Sequence, residues 1–460
     1  MKVTKLIENL FKKYIPSPFT IAILLTLFSL GLAFLVTKPQ NEAVGNYIFT
    51  VFGYWEAGIW NNDLLVFAYQ MMLILVLGHV LVLSKPMSNL ILKLTKYCTN
   101  TANSAMLVSS VTMLVAFFNW GLGLIFGALL ARKVAEDAIK RGIQLNYPII
   151  GAAGYVGLMV WHGGISGSAP IKINEKGHIK SIMESISSEE VLAKIPEVIS
   201  YNETVLSWWN LIIFLVVLIA ISTTFYLLGK RAKPTKIEFE STQNIDDKEE
   251  IQTEAEKLDS SKFLAMLFGV LILVTFIYKY HTNILELRIT PNLINFFMFG
   301  LAILLHGSFK KFTNAIGVAI SDVSGILIQF PLYFGIMGIM KSTGMVAMIS
   351  SFFVSIATTT TLPIFTFFSA GLVNIFVPSG GGQWVVQGPI VVESALQLGV
   401  PLPKAIMALA YGDQITNMLQ PFWALPLLGI TKLKAKEILP YTLIAMVVGT
   451  IVYVAGLIIL

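Results

Sequence analysis

Three stretches carry groups that could do chemistry in an otherwise apolar chain. Ser379, Gly380, Gly381 and Gly382, followed by Gln383, Trp384 and Gln387, set three glycines beside two side-chain amides. Glycine lets a backbone turn sharply and lets a ligand approach it closely. Where such a turn opens a helix, amide N–H groups without partners carry partial positive charge and suit a carboxylate or another small anion. On this reading Gly381 is the position where one added methyl group should stop ligand approach. Asn119, Gly121 and Gly123 repeat the theme early in the chain. The competing reading is that these glycines allow close helix packing; Gly123 and Gly127 form a small-xxx-small step, and packing is the reading for Gly127. Trp384 either lies along a ligand's carbon tail or packs in the protein.

The second stretch is "YGDQITNMLQP" at 411–421. An acid at the centre of a membrane helix costs about 2.5–3.5 kcal/mol. Asp413 therefore needs a cation, a proton or a hydrogen-bond network. Thr416 and Asn417, one turn on, offer oxygens of the kind that coordinate sodium. The alternative is that Asp413 caps a half-helix at the membrane edge. The third stretch, "WHGGISGSAP" at 161–170, begins with His162, which serves either as a ligand-binding group or as a satisfied hydrogen-bonding residue.

The elements that position these groups must be membrane helices. Of the 460 residues, 55% are hydrophobic and 13% charged, with mean hydropathy +0.75. Soluble proteins carry about 25% charged residues. Apolar runs of spanning length recur at 18–36, 64–83, 206–228, 262–278, 291–306 and 438–460. The first lacks a cleavage site and reads as a retained helix. The single cysteine, Cys98, excludes an internal disulfide and a thiolate metal cage, and no metal ligand set is evident. A formal charge of +6 reflects topology rather than nucleic-acid binding.

The chain resembles itself at an offset of about 259 residues. "YQMMLILVLG" at 69–78 lines up with "IQFPLYFGIMG" at 328–338, and "NWGLGLIFGALLA" at 119–131 with "PSGGGQWVVQGPI" at 378–390. Two further matches fall in order at the same spacing, the signature of a duplicated transporter unit. The expected fold is an all-α polytopic membrane protein with about nine transmembrane helices and two re-entrant hairpins in an inverted repeat. The first repeat covers 1–228, with a hairpin at 106–138, a broken helix at 147–170 and an outer loop at 171–205. A charged cytoplasmic linker, 229–261, leads to a connecting helix at 262–290. The second repeat covers 291–460, with a hairpin at 362–397 and a broken helix at 404–430. With the N-terminus cytoplasmic, 23 of the 32 Lys and Arg fall on the inner side, as the positive-inside rule requires.

"VPSGGGQWVVQGPIVVESA", "ALAYGDQITNMLQPFWALPLLGI" and "NWGLGLIFGALLAR" resemble the bacterial short-chain fatty acid transporter family, and the likeness runs from the first helix to the last. The resemblance implies uptake of short-chain fatty acids, including butyrate and acetoacetate, across the inner membrane. It also implies the inverted repeats and paired hairpins of the wider ion transporter superfamily. In the sodium–dicarboxylate branch of that superfamily, Ser-Asn-Thr triplets at the hairpin tips hold sodium and carboxylate. This chain has Asn119-Trp120-Gly121 and Ser379-Gly380-Gly381 instead, so sodium coupling does not carry over.

The leading expectation is a secondary transporter for a short-chain monocarboxylate, a symporter with a proton or sodium as coupling ion and no other cofactor. Asn119, Gly121, Gly123, His162, Ser379 to Trp384 and Gln387 would form the substrate site, and Asp413, Thr416 and Asn417 the coupling-ion site. Membrane lipid surrounds it, and a homodimer is plausible for hairpin-type carriers. A small-anion channel is the alternative. An intramembrane enzyme is disfavoured: Ala410 breaks the Gly-x-Gly-Asp pattern of membrane aspartyl proteases, and "GISGS" at 164–168 misses Gly-x-Ser-x-Gly. No Gly-x-x-x-x-Gly-Lys loop for nucleotide binding occurs.

Overall fold

The computed structural model describes residues 9–11, 13–39, 44–184, 189–235, 253–285 and 290–460. Every element among them is helical. Seven helices are long and apolar enough to cross a membrane: Pro18–Thr37, Asn62–Leu83, Thr101–Phe118, Trp208–Arg231, Lys262–Leu285, Ser324–Ser342 and Ala435–Ile459. Shorter apolar helices cover Pro291–His306, Met345–Ser355, Leu362–Phe376 and Pro421–Thr431. The chain is a multi-pass membrane protein.

Burial sorts these helices into layers. Pro18–Thr37 and Lys262–Leu285 have only 22% of their apolar window covered by protein, whereas Asn62–Leu83 has 61%. The first two present leucine, isoleucine and phenylalanine outward, as lipid-facing helices do; the third lies in the core. Proline sets several starts, where its missing N–H costs nothing. Pro18 follows the N-cap Ser17, Pro291 follows Thr290, and each cap side chain accepts an amide N–H from the first turn.

Two helical hairpins bracket the polar motifs. In the first, Thr101–Phe118 and Trp120–Lys140 are joined by Asn119 alone, which ends one helix and caps the next. In the second, Leu362–Phe376 and Gly380–Leu398 are separated by Val377, Pro378 and Ser379. Each hairpin is followed by an interrupted helix. The first interruption begins earlier than the glycine-rich sequence suggests: the α-helix Tyr147–Ala153 already stops at Gly154. A 3-10 turn, Val156–Met159, follows, and then irregular chain to Gly167. Gly154 and Gly127 stand so close that a Cβ on either would strike the other's carbonyl oxygen. Packing, not local propensity, fixes this end.

The second interruption comes later than 411. The helix Leu402–Thr416 runs unbroken through Asp413, and the break is the 3-10 turn Asn417–Leu419 with Gln420, ahead of Pro421. Proline disfavours helical backbone in the residue before it, and Gln420 is extended.

Residues 171–205 are not a free loop. Short helices Ser168–Ile173 and His178–Met183 pack Ile173, Ile179 and Met183 against Trp384 and Val391 of the second hairpin. Of the charged linker, 236–252 lie outside the described residues, as do Lys2, Lys5 and Lys12. A short helix, Glu254–Asp259, capped by Thr253 and Glu256, leads into Lys262–Leu285.

Candidate functional site

The second tip, the first interruption and the helix carrying Asp413 meet at one point. His162 Nδ1 lies 2.5 Å from Asp413 Oδ2, and the two side chains are 0% and 1% exposed. The other ring nitrogen, Nε2, accepts the amide N–H of Ala169 at 3.0 Å. A nitrogen that accepts holds no proton, so the imidazole is neutral and carries its hydrogen on Nδ1, directed at Asp413. Asp413 Oδ1 has no hydrogen-bond partner among the described residues although it is buried.

Gln414 completes the join. Its Oε1 accepts the amide N–H groups of His162 at 2.8 Å and Gly163 at 3.0 Å. This pins the irregular backbone of the first interruption to a helix in the second half of the chain, satisfying donors that hydrocarbon could not. Asn210 Nδ2 donates to Gly163 O, while Asn210 Oδ1 accepts the hydroxyl of Tyr411. Gly164 is required beside Phe117, in the last turn of the first hairpin's inbound arm: Ile165 N–H donates to Phe117 O, and a Cβ on Gly164 would collide with that carbonyl.

The second tip faces the same histidine. Ser379 Oγ accepts the amide of Gly382, and Ser379 O accepts that of Gln383. The amides of Gly380 and Gly381 are left as the uncapped pair of this helix start. A Cβ on Gly380 would stand 2.8 Å from both His162 Cε1 and Trp161 Cη2, whereas one on Gly381 would meet only Ser168 at 3.9 Å. Packing therefore leaves no room for a methyl group at Gly380, whereas Gly381 faces open space, where an added methyl group would meet an approaching ligand and not the protein.

The remaining sequence candidates divide. Gln383 Nε2 donates to Ala370 O and Gln387 Oε1, and Gln387 Nε2 to Ser369 Oγ, so both amides tie the arms of the second hairpin together. Trp384 is fully buried, and its Nε1–H donates to His178 Nε2 at 3.1 Å, binding the outer segment to the hairpin. Thr416 Oγ1 and Asn417 Oδ1 accept from Asn374 Nδ2 at 3.0 and 2.8 Å, on the second hairpin's inbound arm. They form a neutral network with Gln420 and Tyr155, while Asp413 turns to His162. At the first tip, Asn119 Oδ1 accepts from Leu122 N–H, and Ser166 Oγ accepts from Trp120 N–H. Gly123 is a packing glycine, since a Cβ there would strike Ala116 of the opposite arm; Gly121 is not crowded.

Among the described residues, no three His, Cys, Asp or Glu side chains come together as a metal site. Arg132 is the single buried Lys or Arg among them, and it is held by Glu136 and Ile430 O. The buried centre around His162 therefore has one fixed acid and no fixed cation of its own.

Sequence reasoning passed over Trp161 and Gln414, which flank residues it had singled out. The signal was a tryptophan and a carboxamide beside His162 and Asp413, on segments otherwise too apolar to need them.

Comparison with known proteins agrees with the motifs. The family model described as "Short chain fatty acid transporter" matches residues 1–460. A curated relative in Escherichia coli K12 is 33% identical over 99% of both chains, and one in Haemophilus influenzae Rd likewise. Both carry the provisional name of short-chain fatty acid transporter. Among solved structures, the YdaH transporter of Alcanivorax borkumensis is similar at TM-score 0.42 and 12% identity, over 96% of this chain and 98% of that one. The chain belongs to the short-chain fatty acid transporter family.

Proposed function

We propose that this family member is a secondary active transporter. It takes up small monocarboxylates such as butyrate or acetoacetate across the bacterial inner membrane by cation symport, with its N-terminus in the cytoplasm. The observation that carries this reading is the convergence at His162. A glycine helix start with two uncapped amides, Gly380 and Gly381, lies against a buried acid–imidazole pair supplied by two distant parts of the chain. The amides offer positive potential to a carboxylate, and Asp413 offers a place for the accompanying cation. The hairpins act as inverted halves that move around this point to open it to one side and then the other.

The coupling ion in this reading is a proton. An anion entering a buried site that already holds a carboxylate and no cation is repelled unless positive charge enters with it. Oδ2 is engaged by His162, so Oδ1 receives the proton. Thr416 and Asn417 bond to Asn374 instead of joining Asp413, which weighs against a sodium shell built from the three.

Uptake of labelled butyrate and acetoacetate into proteoliposomes, with proton and sodium gradients imposed separately, tests this. Saturable accumulation driven by the proton gradient alone is expected. Accumulation with sodium alone would overturn the proton reading, and unsaturable flux under either gradient would mark a channel.

A further inference from the structure

We propose that the substrate carboxylate is received by two neutral donors, Trp161 Nε1–H and Gln414 Nε2–H. The inference rests on the transport reading and names the chemistry of recognition within it. Trp161 is 4% exposed and Gln414 0%, and neither donor finds an acceptor among the described residues. Buried donors are nearly always paired, so a fully enclosed N–H without a partner calls for an explanation. Here two of them flank the same histidine.

The orientation of Gln414 is not arbitrary. Reversing its amide would give up two bonds, from His162 N–H and Gly163 N–H, so the oxygen is fixed toward the backbone and the nitrogen is the free end. The Trp161 ring stacks on the His162 ring, centroids 4.6 Å apart and planes at 17°. Gly380 closes on the edge of this ring. The tip thus adjoins the indole ring at Cη2, and Gln414 is tied to the same histidine through its Oε1.

The same stack says what else the ligand is. Trp161 leads to Trp120 at 5.8 Å, and Trp120 to Trp423 at 5.2 Å. This aromatic row gives a carbon tail an apolar wall and gives a second carboxylate nothing to pair with. A site with neutral donors, no buried Lys or Arg at hand and an indole wall takes a monoanion with a short apolar tail and rejects a dicarboxylate. A site built to donate hydrogen bonds also rejects analogues that lack the acceptor, because its own donors are then left unpaired.

Binding to the purified full-length protein, followed by calorimetry with butyrate, butyramide and succinate as probes, tests the proposal. Wild type should bind butyrate at least tenfold more tightly than either other probe. Trp161→Phe keeps a ring and removes the N–H; Gln414→Glu keeps the oxygen that accepts from His162 and Gly163 and replaces the donor. Each should weaken butyrate binding tenfold or more. For Gln414→Glu the deficit relative to wild type at the same pH should shrink as pH falls, because the protonated acid regains an O–H donor, whereas a packing defect leaves that ratio constant. Equal binding of butyrate and butyramide by wild type overturns the proposal without any variant having to fold. Unchanged butyrate binding by both variants overturns it while leaving the transport reading intact. Failure of wild type to bind any short-chain carboxylate overturns the transport reading itself.

Discussion

His162 and Asp413 lie 251 positions apart in the chain and share one hydrogen bond of 2.5 Å, wholly enclosed by protein. The imidazole comes from an interrupted segment and the carboxylate from an unbroken helix. Relative movement of the segments that carry them must stretch or break this contact.

Asp413→Asn keeps the shape and removes the charge. Gradient-driven accumulation of butyrate should fall to the background of empty liposomes, while exchange of internal for external butyrate persists. Accumulation by the variant at the wild-type rate would remove Asp413 from coupling.

The tip glycines should respond unequally. Gly380→Ala forces a methyl group against His162 and Trp161, an overpacking of the kind that costs about 1–3 kcal/mol. It should lower the detergent melting temperature and abolish uptake. Gly381→Ala meets open space and a helical backbone, so it should keep the wild-type melting temperature yet lose uptake, because the added methyl group stands where the ligand approaches the tip amides. A reversed order would show that the tip stands differently against the interruption.

Topology can be read with introduced cysteines after Cys98→Ser. Exposed positions in the outer segment and near the end of the charged linker serve as probes. Glu184→Cys should label from outside intact cells with a membrane-impermeant maleimide, and Asp259→Cys only after lysis. The opposite pattern would invert the proposed orientation.

A further test concerns pH at the outer segment. Burial, then Lys172, hold the His178 imidazole below its ordinary range, against an upward pull from Glu175. Its neutral Nε2 accepts the Trp384 indole N–H. Because the value is depressed, folding favours the uncharged ring. The contribution is complete above the ordinary histidine value near pH 6.5 and is lost as pH falls below it. Protection factors for amide hydrogen exchange in 168–184, corrected for the slower intrinsic exchange at lower pH, should fall between about pH 6.5 and 5, and His178→Gln should remove that dependence. A flat profile in wild type would show that the contact does not hold the segment.

Much of the site was legible because membrane sequences penalise polar groups. Three glycines at 380–382, an acid at 413 and a histidine at 162 stand out in apolar surroundings, and they are the groups the fold gathers. Their partners were not legible. That Asp413 would face His162 instead of Thr416 and Asn417 depends on how helices separated by hundreds of residues cross. The limits of the interruptions were hidden for a similar reason. Gly154 ends a helix because Gly127 presses on it, and no local pattern records that contact. Gly412 beside Asp413 looks like a helix breaker but serves as a flat seat: a Cβ there would strike the carbonyl of Phe367. The helix continues past it.

The two hairpins differ in slack. Asn119 caps the end of one arm and the start of the next, so the first hairpin has a single non-helical residue between its arms. The second has Val377, Pro378 and Ser379 between helices, three residues able to absorb a hinge rotation in a short span. Proline stiffens the middle of that hinge, leaving Val377 and Ser379 as its two pivots. Bending concentrated there would lift Gly380 off the His162 ring, so the proposed transport movement would be asymmetric between the two hairpins.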